Sequence, residues 1–147
     1  HYLGSDIEAI IFGASRPKDA PDFGFPTHYL STLQDDYSLV LAYSAADIFV
    51  LPTMQDNLPY TIIEAMACGT PSVSFAVGGV PDIIDHNVNG YLAVPFNTKE
   101  LAYGMQYLLE NESRYNEFSE KSRQKALQEY DVNIQVKRYL DLFKGIV

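Results

Sequence analysis

Short apolar runs alternate with longer mixed stretches over the first two thirds of the chain. Glu8 to Phe12, Thr27 to Leu30, Ile48 to Leu51, Ser72 to Phe75 and Tyr91 to Val94 each read as a short strand. Their length and apolar continuity fit strands buried in a parallel sheet. Between them, Asp36 to Ala46 and Pro59 to Cys68 read as mostly apolar helices, and Val80 to Ile84 as a short one. Gly69 stands where a helix-ending glycine belongs. Residues 14–26 carry three of the eight prolines and read as an irregular loop. The pair Asn89-Gly90 is expected to turn the chain into the last strand.

The final third changes period. Leu101, Met105, Leu108 and Leu109 form one helical stripe, preceded by Asn97 and Glu100 at capping-box spacing. Tyr115, Phe118, Ser122 and Ala126 form a weaker stripe, and Val132, Val136, Tyr139, Leu140 and Phe143 a third. Strands alternating with helices imply right-handed βαβ units. The expected fold is therefore α/β: a three-layer α/β/α open parallel sheet, Rossmann-like, closed by C-terminal helices. Ligands of such sheets bind beyond the carboxyl ends of the strands. Residues 13–25, 33–36, 52–58 and 76–80 all fall on that edge in this reading.

Composition adds three constraints. The 147 residues fit one domain with a true core. A net charge of −9 argues against a nucleic-acid partner. The single cysteine, Cys68, excludes an internal disulfide framework, and no secretory signal opens the sequence, so a cytoplasmic location is expected. Charge distribution says more than the total. From Asp19 to Thr98 there is no Lys or Arg, while nine carboxylates fall in that stretch. A phosphate bound there must rely on main-chain N–H groups and helix N-termini, on Arg16 or Lys18, or on cations from elsewhere.

The most informative segment runs from Asp56 to Pro71. It sets two carboxylates eight positions apart, Asp56 in a proline-bearing loop and Glu64 inside an apolar helix. A helix apolar on every face is normally buried, and a buried carboxylate needs hydrogen-bond donors. Hydroxyls of a bound sugar or ribose would serve. Thr61 and Glu64 also fit a capping box, which would make Glu64 a cap of its own helix. Asp56 alone could be a solvated loop residue, Gly78-Gly79 a plain turn, and Asp35 a helix-entry residue.

Four blocks in order carry a resemblance: Ala46-Asp47-Ile48-Phe49-Val50-Leu51-Pro52-Thr53, Asp56 to Pro71, Gly78-Gly79-Val80-Pro81-Asp82-Ile83-Ile84, and Asn89-Gly90-Tyr91-Leu92-Ala93-Val94-Pro95. Together they resemble the donor-binding domain of group 1 glycosyltransferases, retaining enzymes of the two-domain GT-B architecture often called family 4. The resemblance implies a domain spanning residues 1–147 that holds a nucleoside diphosphate sugar as donor substrate, with no separate cofactor and no metal. Glu64 then matches the ribose-hydroxyl ligand and Asp56 the residue that hydrogen-bonds the transferred sugar. The main chain at Leu58, Pro59, Tyr60 and Thr61, with Asn57 beside it, matches the segment that approaches sugar and diphosphate. Leu33 matches a position that packs on the nucleobase, and Asp35 one that accepts from its edge. Gly78 and Gly79 match a loop beside the donor that needs close backbone approach.

The sequence departs from the family in places. Asp56 replaces the commoner Glu, shortening the reach by about 1.5 Å. Asn57-Leu58-Pro59 replaces a Gly-Phe-Gly, and Pro59 has no N–H to offer a phosphate. The further strand and the Gly-Arg…Lys-Gly stretch that neutralise the diphosphate in the family have no counterpart here. The expectation is an N-terminally truncated fragment of a larger two-domain enzyme, inactive alone. Its acceptor, a glycan or lipid-linked sugar, and any membrane-surface contact would come through the missing parts. Two alternatives stand beside the transferase: a non-catalytic nucleotide-sugar-binding module, and a nucleotide-sugar epimerase or phosphorylase on a related fold.

Overall fold

The computed structural model describes residues 7–146. Five short strands alternate with helices: β1 (Ala9–Ile11), β2 (Thr27–Tyr29), α1 (Asp36–Ala45), β3 (Phe49–Leu51), α2 (Tyr60–Ala67), β4 (Ser72–Phe75), α3 (Val80–Ile83) and β5 (Gly90–Ala93). Helices α4 (Thr98–Leu109) and α5 (Glu112–Lys125) follow, then a π-helical turn (Ala126–Tyr130) and α6 (Val132–Lys144). All strand pairs are parallel, as the βαβ pattern requires. The hydrogen-bonded ladders fall in two segments, β1-β2 and β3-β4-β5. The segments meet at side chains, where the Phe12 ring stacks on Phe49 at 6.4 Å.

β4 is the central strand of the larger ladder, and all four of its residues are buried. Alternation along the ladder separates two apolar layers. Val73, Phe75, Tyr91 and Ala93 pack against Leu101 and Leu108 of α4 and Phe118 of α5. On the other side, Ile62 and Met66 of α2 join Val80, Ile83, Ile84 and Ala126. This is the expected three-layer α/β/α arrangement. Ser74 is also fully buried, and its hydroxyl donates to Leu51 O at 2.7 Å, so the polar atom is satisfied across the ladder.

Several expectations of burial and turn geometry change. Helix α2 is not buried on every face: Ile62, Ala65 and Met66 are buried, whereas Tyr60 is 70% exposed and Glu64 is exposed. Helix α1 buries only Ala42 and Tyr43 and leaves Tyr37, Val40 and Leu41 in solvent. The apolar stripe of α6 buries no residue. The turn into β5 is shifted: it spans residues 87–89 with Asn87 left-handed and Asn89 as its last residue, and Gly90 already belongs to β5. Asn89 is buried, accepts from Asp85 N at 2.7 Å and donates to Ile83 O at 3.1 Å. It pins the α3–β5 connection from inside, a role that its dipeptide context conceals.

The rear of α2 is held by α5. Gly69, at φ +79°, ends the helix as expected. The last carbonyls of a helix lack intrahelical partners. Here the Ser119 hydroxyl donates to Gly69 O at 2.6 Å and the Arg123 guanidinium donates to Ala67 O. In α4 the capping box forms with a variation. Asn97 Oδ1 accepts from Glu100 N at 3.2 Å, but the Glu100 carboxylate accepts from Val94 N at 3.1 Å. No helix among the described residues is long and apolar enough to cross a membrane.

Candidate functional site

Two loops at the carboxyl ends of β3 and β4 pack main chain to main chain. In the first, Asp56 Oδ1 accepts from Leu58 N at 3.1 Å, a local turn that fixes the carboxylate over its own backbone. In the second, Gly78 takes φ +51°. A Cβ at Gly78 would lie 1.8 Å from Asp56 O, and one at Gly79 1.9 Å from Asn57 O. No side chain fits at either position. The Gly79 amide donates to Asp56 O at 3.1 Å, tying the two loops together. Gly78-Gly79 is therefore a point of close main-chain packing between the two loops.

The first loop leads into the N-terminus of α2 and the second into α3. The N-cap of α2 is Pro59, with φ −69° and ψ 102°, and no side-chain hydrogen bond caps the helix. The Thr61–Glu64 capping box does not form, because the helix starts at Tyr60 and puts Thr61 inside the first turn. Glu64 is thus free of its own helix terminus. Its Oε2 accepts instead from the hydroxyl of Tyr43 on α1, at 2.8 Å. Glu64 and Tyr43 line a groove of about 540 Å³ between α1 and α2, with Asp36, Leu39, Val40 and Cys68 also in its wall. Asp56 is not among the residues of that wall. Asn57, Leu58 and Tyr60 are exposed, Thr61 is half-buried and Pro59 is buried.

The segment before α1 serves the helix. Asp35 Oδ1 accepts from Ser38 N at 2.8 Å and caps α1. That main-chain N–H holds the Asp35 carboxyl below the usual carboxylate range. One of its oxygens is already committed, so the helix-entry role is met whatever else Asp35 contacts. Leu33 is half-buried two residues earlier. The Arg16 guanidinium lies over the Tyr29 ring at 5.6 Å, after β1 and against the end of β2. Among the described residues no three metal-ligating side chains converge.

The arrangement offers an uncapped helix N-terminus, which favours an anion, and an exposed carboxylate one turn along, which accepts from hydroxyls. Tyr43 is the functional candidate absent from the sequence reading. It resembled any other aromatic at helical spacing. Only the fold shows that its hydroxyl crosses from α1 to α2.

The profile of the family described as glycosyl transferases group 1 matches residues 24–125. A Campylobacter jejuni relative, an N,N'-diacetylbacillosaminyl-diphospho-undecaprenol alpha-1,3-N-acetylgalactosaminyltransferase, is 34% identical over 120 residues, covering 82% of this chain and 31% of its own length. An uncharacterized glycosyltransferase of Haemophilus influenzae is 35% identical over 106 residues, 71% of this chain and 29% of that protein. The chain therefore spans about a third of the length of these relatives. Among solved structures, sucrose-phosphate synthase of Thermosynechococcus elongatus superposes with a TM-score of 0.80 at 22% identity, over 93% of this chain and 38% of that one. Anabaena HepE in complex with UDP gives 0.73 at 24% identity, over 81% of this chain and 32% of its own. The structural matches share the fold, and the family profile runs through both loops, α2 and the helices behind them: the chain belongs to the group 1 glycosyltransferase family.

Proposed function

We propose that this chain supplies the donor side of a retaining glycosyltransferase, holding a nucleoside diphosphate sugar whose hexosyl group passes to an acceptor hydroxyl. The observation that carries the reading is the uncapped N-terminus of α2, flanked by the interlocked Asp56 and Gly78-Gly79 loops, with exposed Glu64 one turn along. The diphosphate lies against the first amides of α2, where the helix dipole favours negative charge. Glu64 accepts from ribose hydroxyls, and Asp56 accepts from a hydroxyl of the transferred sugar. Leu33 and the cap at Asp35 flank the base. The complex of Anabaena HepE with UDP-glucose supports a nucleotide sugar as the ligand class.

In the reaction, the bond between the anomeric carbon and the leaving phosphate oxygen breaks. The acceptor oxygen bonds to that carbon from the same face, and its proton passes to the leaving phosphate. Charge developing on the diphosphate calls for preorganised donors. The α2 amides supply part, and cations outside residues 19–98 supply the remainder, since that stretch holds no Lys or Arg. The acceptor, a glycan or lipid-linked sugar, binds outside this chain.

Calorimetric titration of the full-length protein with UDP, GDP and ADP tests the reading. Selective binding of one of the three is expected, and NMR of the product should show the donor's anomeric configuration retained. Flat titrations with all three would remove the donor site. An inverted product would remove the same-face mechanism.

A further inference from the structure

We propose that Tyr43 is a positioning residue that presets the Glu64 carboxylate and thereby sets discrimination for a ribose over a deoxyribose in the bound nucleotide. This rests on the reading of Glu64 as the ribose ligand. The observations are independent of that reading. Tyr43 is only 2% exposed. Its ring meets Phe12 edge-on at 5.3 Å and Phe49 at 5.4 Å, so two aromatic neighbours fix its plane. Its main-chain carbonyl accepts from the Thr70 hydroxyl at 2.8 Å, which ties α1 to the segment after α2. The phenol oxygen is thus held from ring and backbone alike.

From this fixed point the hydroxyl donates to Glu64 Oε2 at 2.8 Å. Glu64 is otherwise exposed, on a flexible side chain that would sample many rotamers in water. One hydrogen bond to a rigid donor selects among them before any ligand arrives. Oε1 and the second lone pair of Oε2 are left as acceptors for two neighbouring hydroxyls. A vicinal diol matches that pair of acceptors, and a deoxyribose offers one donor fewer. Preorganisation of this kind acts by lowering the ordering cost of binding. Burial, and then the hydrogen bond to Glu64, push the Tyr43 phenol up from its usual value, so it remains a donor throughout the neutral range.

A purely structural Tyr43 would use Glu64 as the nearest acceptor for a core hydroxyl, with no effect on ligand choice. The two roles separate in one experiment on the full-length protein. Dissociation constants are measured for the tightest-binding of UDP, GDP and ADP and for its 2′- and 3′-deoxy forms, with wild type, Tyr43→Phe and Glu64→Gln. A hydrogen bond to a charged group corresponds to roughly 10- to 100-fold in affinity. Wild type should therefore prefer the ribo form by about that factor over at least one deoxy form. Tyr43→Phe should lose most of the preference, by weakening the ribo form about 10-fold while leaving that deoxy form nearly unchanged. Glu64→Gln, at an exposed position, should lose the same preference with the fold intact.

Equal weakening of ribo and deoxy forms by Tyr43→Phe, or no weakening of either, would overturn the proposal. So would loss of the folded state in Tyr43→Phe, which would assign the hydroxyl to the core. Absence of nucleotide binding by wild type would remove the donor site itself. Binding with an unmoved ribo/deoxy ratio in Tyr43→Phe would remove only the role of Tyr43.

Discussion

The Gly79 amide donates to the Asp56 carbonyl at 3.1 Å, and the space where a Gly79 side chain would begin is filled by Asn57 O. The loop after β4 is thus a mould for the loop after β3. The position of Asp56 is set in part from the neighbouring strand's loop.

Gly79→Ala should show this directly. Its Cβ would sit 1.9 Å from Asn57 O, so the Asp56 loop must move. Overpacking of this kind costs about 1–3 kcal/mol, read by urea unfolding. A displacement near 1 Å at the reacting centre should lower turnover by roughly 100-fold, read by transfer from the nucleotide sugar. Unchanged turnover with a shifted unfolding midpoint would separate the loop from the chemistry.

Asp56→Asn keeps an oxygen able to accept from Leu58 N, so the local turn should persist. Removing the charge should lower turnover by roughly 100-fold, while nucleoside diphosphate affinity stays within about 3-fold because that ligand lacks the sugar. A full-strength enzyme would take Asp56 out of the mechanism.

Asn89→Leu should be among the costliest polar substitutions. It strands Asp85 N and Ile83 O, which lose bonds of 2.7 and 3.1 Å. A loss of about 3 kcal/mol is expected in denaturant titration. Ser122→Ala, which removes only the donor to Asn89 O, should cost about 1 kcal/mol. Comparable small losses in both would mean water replaces the Asn89 side chain.

Alkaline pH should weaken the fold through its phenols. Burial, then the hydrogen bond to Glu64, raises Tyr43 above the ordinary value of 10.0. Burial also raises Tyr91, Tyr115 and Tyr130. Below pH 10 these phenols are protonated in folded and unfolded chains, and their contribution is complete. Above it the unfolded chain ionises first and stability falls as pH rises, by up to about 1.4 kcal/mol per pH unit for each full proton. Tyr43→Phe should flatten the loss above pH 10, measured as the unfolding midpoint against pH.

Much of the fold was legible because period and punctuation agreed. Short apolar runs became β3 and β4 within a residue of their expected bounds, and Gly69 ended α2. Asp56 fell in the loop after β3, on the strand-end edge, and Glu64 in the helix that follows it. What escaped the sequence was which partner each polar group takes. Apolar content suggested a buried α2, yet Glu64 and Tyr60 are exposed, because the elements packed around the helix bury Ile62, Ala65 and Met66 and leave those two positions open. Asn89 carried turn chemistry in its dipeptide, but its amide reaches across to Ile83 and Asp85. The stripe on α6 met the helical period without a surface to bury it among the described residues. Periodicity reports a face, and tertiary contact decides what that face meets.

The bonds from Ser119 and Arg123 to the tail of α2 have a mechanical corollary. An eight-residue helix has almost no persistence by itself. Prising α5 away would let α2 unravel from its far end, and the loosening would propagate forward to the Pro59 end. The two helices are then one cooperative block, and amide exchange at Ile62 and Ala65 should keep pace with exchange in α5.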